Sequence, residues 1–286
     1  FILLSVVAFG NKTFLTNINV GVLFIIAVTT ISTLAVFLAG WGSGNRYALI
    51  GAVRAVAQLV SYEVPMVLSL VGVILLAGSM SLVGIVEGQR IPFVVVQPLG
   101  FFVFMAAATA EISRTPFDQI EAESELGSGY NTEFSGIKFA ILFLAEFMAP
   151  IVTAAVVATL FLGGTKGFDP IPGQIWFVLK MFVVIFVLLW FRATWPRLRV
   201  DQIMGFAWKG LFGLGILNIF IVAIEIMIFR TEEGTVGTSN MLIMSAINWV
   251  IAVVTLLTLM RIYGQKKLER PIPVPSPLAN MGVEAD

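Results

Sequence analysis

Five carboxylates are concentrated in one polar stretch of an otherwise apolar chain. The stretch RTPFDQIEAESELGSGYNTEFSG, residues 114–136, contains a single cation, Arg114, at its start. Neighbouring carboxylates resist simultaneous ionisation, so a change of charge near one of them shifts the proton occupancy of the others. The cluster could therefore handle protons as a group, although a solvated acidic loop has the same composition. The carboxylates are Asp118, Glu121, Glu123, Glu125 and Glu133.

Three further acids, Glu63, Glu111 and Glu146, and one cation, Lys180, lie inside or at the edge of long apolar segments. A charge at membrane depth is costly by several kcal/mol, so such residues are paired, protonated or functional. Each acid alone could be buried for structural reasons. Their occurrence on separate segments favours a proton or ion path.

A second polar motif, WPRLRVDQIM at residues 195–204, contains Arg197, Arg199 and Asp201. Its basic character is typical of a cytoplasmic connection between membrane spans. The alternative is a binding surface for a polar headgroup or for a soluble partner. Glu225 and Arg230 are predicted to form an exposed ion pair of small energetic weight.

The elements that must position these residues are membrane helices. Of 286 residues, 58% are hydrophobic and only 12% are charged, against about 25% charged in soluble domains. Apolar runs of this length predict transmembrane helices. We predict an all-α, polytopic membrane bundle with about seven full spans and the tail of a truncated span at the N-terminus. The full spans are 20–40, 47–78, 93–113, 137–163, 173–195, 205–229 and 241–262.

The chain contains neither cysteine nor histidine. Iron–sulfur clusters require thiolates, and haem and zinc sites nearly always use His or Cys, so the chain is predicted to bind no redox metal. Residues 1–265 form the predicted membrane domain, with the acidic loop at 114–136. Residues 266–286 form a Pro-rich cytoplasmic tail.

The distribution of Lys and Arg predicts the orientation of the bundle. If the acidic loop is cytoplasmic, 12 cations lie at cytoplasmic ends and four at outer ends, with Lys180 inside a span. Because cytoplasmic connections are enriched in Lys and Arg, the acidic loop is predicted to face the cytoplasm.

Four motifs together resemble one family: RYALIGAVRAVAQLVSYEVPM (46–66), AEISRTPFDQIEAESELGSGYNTEFSG (110–136), FLAEF (143–147) and WPRLRVDQIM (195–204). The family is the membrane subunit at the quinone site of respiratory complex I. It is called the H subunit of NADH:quinone oxidoreductase in bacteria and NADH dehydrogenase subunit 1 in mitochondria. The resemblance extends from about residue 20 to residue 230.

The resemblance implies specific roles for the polar residues. Glu63, Glu111 and Glu146 would begin a buried acidic proton path that couples quinone reduction to proton pumping. The five acidic-loop carboxylates would lie near the quinone chamber. Arg197, Arg199 and Asp201 would lie near that chamber or near the soluble arm of the complex.

The resemblance also implies that the chain is not catalytic alone. It would bind no cofactor itself and would work on quinone as substrate. Flavin and iron–sulfur clusters would reside in partner subunits of the soluble arm, and the other neighbours would be membrane-arm subunits and lipid. The expected location is the plasma membrane of a bacterium, as a multi-pass protein.

The sequence departs from the family pattern at a few positions. The family usually has Leu-Pro at Gln119 and Ile120, and often Asn at Ser113. Two alternatives keep a membrane complex but change the electron donor: a ferredoxin-dependent quinone reductase and a membrane-bound hydrogenase. Two further alternatives are a stand-alone ion-coupled transporter, although no inverted repeat is visible, and a purely structural anchor.

Overall fold

The computed structural model of the protein describes residues 2–10, 14–118, 129–131, 133–167, 170–229 and 237–268. Every regular element in these ranges is helical. Short 3₁₀ helices span Ile2–Ser5 and Gly129–Asn131, and a π-helical segment spans Phe206–Leu211. The α-helices are α1 (Gly21–Gly42), α2 (Arg46–Ala77), α3 (Leu82–Gly88), α4 (Phe93–Val96), α5 (Pro98–Glu111), α6 (Gly136–Leu160), α7 (Gly173–Thr194), α8 (Val200–Gly205), α9 (Phe212–Phe229) and α10 (Thr238–Leu268).

Six helical segments in the described ranges are long and apolar enough to cross a membrane: α1, α2, α6, α7, Val200–Phe229 and Ser239–Thr258. Large apolar side chains, such as those of Phe182 and Phe186 on α7, are exposed on their outer faces. This pattern is unfavourable in water and favourable in lipid. The prediction of an all-α, polytopic membrane bundle is confirmed.

The predicted span at 93–113 is divided in the structure. It consists of the four-residue α4 and the 14-residue α5, with Gln97 between them. Pro98 begins α5, and a proline has no N–H to continue the hydrogen bonding of a preceding helix. The N-terminal residues, expected to be the tail of a span, contain only the 3₁₀ helix Ile2–Ser5 among those described.

The central helix of the bundle is α2, which packs against α1, α5 and α9. Half of the residues in its most apolar 18-residue stretch are buried, whereas 17–33% are buried in the corresponding stretches of the other five candidate spans. The Asn45 side chain caps its start by accepting from the Tyr47 N–H at 2.9 Å, and Gly78 ends it in a left-handed conformation. The helix that carries Glu63 is therefore the most buried of the six candidate spans.

Contacts between residues divide the chain into two units, residues 1–249 and residues 250–286. The described part of the second unit is helical as far as Leu268. The predicted tail from residue 269 onward lies outside the described residues. The boundary at residue 265 stays a prediction.

Candidate functional site

Two of the predicted path acids lie on the packed pair α2 and α5. Glu63 is in the middle of α2 and Glu111 is the last residue of α5, and their carboxyl groups interact electrostatically. Glu63 also accepts a hydrogen bond from the Thr30 hydroxyl on α1. Thr30 follows Thr29 inside an apolar span, a polar pair that could have indicated a contact with a buried acid.

The third acid, Glu146 on α6, forms an ion pair with Arg114. Arg114 Nη1 lies 3.1 Å from Glu146 Oε1, and the two side chains are only 16% and 15% exposed. The Arg114 guanidinium also lies over the ring of Phe147, 5.1 Å from its centroid. The cation at the start of the acidic stretch thus pairs with a predicted path acid on α6.

The turn after Glu111 is fastened to α2 by Gln58. Gln58 Nε2 donates to the carbonyl oxygens of Ala110, at 3.1 Å, and Phe117, at 2.8 Å. Ser113 within this turn has a φ of 57°, a left-handed conformation that non-glycine residues seldom adopt. These constraints hold the beginning of the acidic stretch beside Glu63 and its helix.

Aromatic residues connect this turn to the π-helical segment. The ring of Phe117 stacks on Phe206 at 6.3 Å and lies 5.1 Å from Tyr62 on α2. The Tyr62 hydroxyl donates to the Ile203 carbonyl at 2.9 Å, and Trp208 Nε1 donates to Ser61 Oγ at 3.2 Å. The π-helical segment therefore packs against the helix that carries Glu63.

The polar connection before α8 contacts the same turn. Arg197 Nη2 lies 3.0 Å from Asp118 Oδ2, and the Leu198 N–H donates to the Pro116 carbonyl at 3.1 Å. The other two predicted residues lie at the start of α8. The Arg199 N–H donates to Gln202 Oε1 at 3.3 Å, and Asp201 is exposed in the first turn.

The acidic loop is only partly described. Glu121, Glu123 and Glu125 lie outside the described residues, whereas Asp118 and Glu133 lie within them. Glu133 Oε1 accepts from Asn45 Nδ2, the α2 cap, at 2.7 Å. The chain returns from the loop at Gly129–Asn131, which packs closely on α2, because a Cβ added at Gly51 would lie 3.2 Å from Gly129 Cα. Both ends of the loop are thus anchored on α2.

Two polar residues differ from the sequence-based expectation. Lys180 is not gathered with the path acids, since its ammonium donates to the carbonyls of Gly164 at 2.9 Å and Lys166 at 2.6 Å. Glu225 was predicted to be exposed, and that prediction is wrong. It is 5% exposed and accepts from Asn248 Nδ2 at 2.8 Å, whereas Arg230 lies outside the described residues.

A cavity of about 160 Å³ lies beside the Arg114–Glu146 pair. Its wall is mostly apolar and contains Arg114, Phe147 and Arg192. Among the described residues, no group of three or more Asp, Glu, His or Cys side chains is arranged to hold a metal ion. The site is therefore an arrangement of carboxyl groups, arginines and aromatic rings inside a helical bundle.

Comparison with known proteins gives consistent matches. A family model described as NADH dehydrogenase matches residues 1–223. The H subunit of NADH-quinone oxidoreductase from Dehalococcoides mccartyi (strain CBDB1) is 46% identical over 228 residues, which are 79% of this chain and 64% of that protein. The protein of the same name from Geobacillus kaustophilus (strain HTA426) is 49% identical over 228 residues, 78% of this chain and 68% of the relative. This chain therefore spans about two thirds of the length of these relatives.

Proposed function

This chain belongs to the NADH dehydrogenase family, and we propose that it is the quinone-site membrane subunit of a proton-translocating NADH:quinone oxidoreductase. The observation that carries the proposal is the arrangement of Glu63, Glu111 and Glu146. The three acids lie on three different helices and are each engaged by a polar or charged neighbour. A group of carboxyls at membrane depth is costly to maintain without a function.

The three acids form the start of the proton path in this proposal. The Glu63 and Glu111 carboxyl groups interact electrostatically, so a change of charge at one acts on the other. Arg114 compensates the charge of Glu146 when that carboxyl is ionised. Arg114 is also the first residue of the acidic stretch, four residues before Asp118. Its ion pair with Glu146 therefore connects that stretch to the proton path.

The acidic loop couples quinone chemistry to this path. Reduction of a quinone to a quinol consumes two electrons and two protons, and negative charge arises if the electrons arrive first. Clustered carboxylates respond to such a charge by changing their proton occupancy. The anchoring of both loop ends on α2 supports this role, because α2 carries Glu63.

Arg197 keeps the connection 195–199 against the turn that begins the loop, next to the quinone chamber. Arg199 and Asp201 face the soluble arm, whose subunits carry the flavin and the iron–sulfur clusters. This chain takes quinone as substrate and holds no cofactor. The sequence provides no Cys or His, the residues on which iron–sulfur clusters and nearly all haem and zinc sites depend.

The chain is a multi-pass membrane protein, and we place it in the bacterial plasma membrane with the acidic loop in the cytoplasm. The excess of Lys and Arg at that end supports this orientation. Its other partners in the proposal are the membrane-arm subunits and lipid. The exposed apolar faces of α6 and α7 provide surface for both.

The proposal is tested by neutralising the loop in the whole complex. The triple variant Glu121→Gln, Glu123→Gln and Glu125→Gln is introduced, and the complex is purified and reconstituted into vesicles. We expect it to copurify with cluster-bearing subunits and to retain part of its quinone reductase activity, while fewer protons move per electron.

Each other outcome has a distinct meaning. An unchanged ratio at lower turnover would limit the loop to shaping the quinone chamber. A chain that transports ions when purified alone, without cluster-bearing subunits, would contradict the assignment and indicate a transporter.

A further inference from the structure

A buried polar cluster lies away from the proposed proton path, at the break between α4 and α5. It consists of Gln97, Asn218, Glu225 and Asn248, which are 1%, 3%, 5% and 6% exposed. These residues come from the α4–α5 break, α9 and α10. Because they are enclosed by this chain itself, their burial does not depend on partner subunits.

Asn248 organises one side of the cluster. Its Nδ2 donates to the Val96 carbonyl at 2.9 Å and to Glu225 Oε2 at 2.8 Å. Ser245, one turn earlier on α10, donates to the Val95 carbonyl at 2.9 Å. These contacts satisfy carbonyl groups that the end of α4 leaves without helical partners.

The other side of the cluster is unsatisfied. Four side-chain atoms have no hydrogen-bond partner among the described residues: Gln97 Nε2, Gln97 Oε1, Asn218 Nδ2 and Glu225 Oε1. An unsatisfied buried polar atom costs about 1–3 kcal/mol, and such atoms in native proteins are usually paired with internal water.

Two glycines provide space for these groups. A Cβ at Gly72 would lie 2.7 Å from Asn218 Nδ2 and 2.9 Å from Gln97 Oε1, and a Cβ at Gly100 would lie 2.9 Å from Asn218 Nδ2. The Gln97 and Asn218 amides are thus close to each other, yet they form no direct hydrogen bond with one another in the structure.

We propose that Gln97, Asn218 and Glu225 form a binding site for ordered internal water. Water fits because the free atoms include both donors and acceptors, and water supplies both. A cation fits poorly, since Gln97 presents an unpartnered NH2 group beside its unpartnered oxygen whichever way its amide is turned. The water completes the hydrogen bonding of a helix that is broken inside the bundle.

The test is a density map of the complete complex at a resolution that shows ordered water. In the wild type we expect a water peak within hydrogen-bond distance of Gln97 and of Asn218 or Glu225. The double variant Gln97→Met and Asn218→Leu keeps the side-chain shapes and removes the polar atoms. It should assemble normally and lose the peak, because replacing both polar partners by apolar groups of the same shape is nearly neutral.

The matched control is Ser69→Ala. Ser69 is fully buried on α2 and its hydroxyl donates to the Met66 carbonyl at 2.7 Å, so its removal should leave the peak in place. Two wild-type results would overturn the proposal. One is a direct Gln97–Asn218 hydrogen bond with no density between them, and the other is a peak that gains density when sodium is exchanged for rubidium. The wild-type map decides the question even if the double variant does not assemble.

Discussion

Replacement of Arg197 by glutamine is expected to loosen the connection 195–199 from the turn that follows α5. The Arg197–Asp118 ion pair joins these segments, and so does the hydrogen bond from the Leu198 N–H to the Pro116 carbonyl. The change removes the first contact and leaves the second. Asp118 is then left mostly buried, with 17% of its side chain exposed and Oδ1 already without a partner among the described residues.

The free energy lost with the Arg197–Asp118 contact lies between two limits. A buried hydrogen bond to a charged group contributes about 1.5–3 kcal/mol, and an exposed ion pair contributes about 0–1 kcal/mol. Asp118 is mostly buried but Arg197 is 45% exposed, so we expect a loss of roughly 1–2 kcal/mol. That energy corresponds to a roughly 5- to 30-fold change in an equilibrium, here between the connection held against the turn and the connection detached from it.

The assay is hydrogen exchange of the Leu198 amide in the purified complex, compared between wild type and Arg197→Gln. Exchange should accelerate by roughly the same 5- to 30-fold factor. Arg197→Lys should have a smaller effect, because the contact joins one nitrogen to one oxygen and does not use the two-pronged geometry of arginine.

A double-mutant cycle with Asp118→Asn separates the ion pair from other effects. If the pair is the cause, Arg197→Gln should add little acceleration in the Asp118→Asn background. Unchanged exchange in Arg197→Gln, or full additivity in the cycle, would refute the reasoning.

Three further outcomes are expected. Ser113→Asn should raise the free energy of unfolding by on the order of 0.5 kcal/mol, because asparagine tolerates the φ of 57° better than serine, and denaturation of the purified complex measures this. Gly51→Ala should lower it by about 1–3 kcal/mol by pushing on the Gly129 backbone, whereas the control Gly213→Ala, with no atom within 4 Å of its Cβ, should not. Burial lowers the pKa of the Lys166 ammonium below its ordinary value of 10.5, so the folded state binds that proton less tightly than the unfolded state. The free energy of unfolding should therefore rise with pH between the lowered pKa and 10.5. Lys166→Met should abolish that rise, and thermal unfolding at a series of pH values measures it.

Much of the fold could be predicted from the sequence because membrane helices are defined by local composition. Long apolar runs identified the six continuous spans, and their polar ends identified the connections. The break at Gln97 was missed, although the Gln97–Pro98 dipeptide was a local signal for it. An average over an apolar run hides a single interruption of this kind.

The acids proposed as path residues could be chosen from the sequence, but their contacts could not. An acidic residue inside an apolar run can be recognised directly in the sequence, so Glu63, Glu111 and Glu146 could be chosen. The partner of Glu146 could not, because Arg114 is 32 residues away and the two side chains meet only in the folded bundle. Glu225 was misjudged for the same reason, since Asn248 lies on a later helix.

The proton-to-electron ratio of the reconstituted complex tests the central claim most directly. It should be measured in vesicles for Glu63→Gln and Glu146→Gln, which keep the side-chain shape and remove the proton site. Glu87→Gln is the matched control, because it removes one exposed carboxylate on α3, outside the proposed path. We predict that both path variants assemble and that their ratio falls to a small fraction of the wild-type value, while Glu87→Gln keeps the wild-type ratio. A wild-type ratio in both path variants would contradict the account.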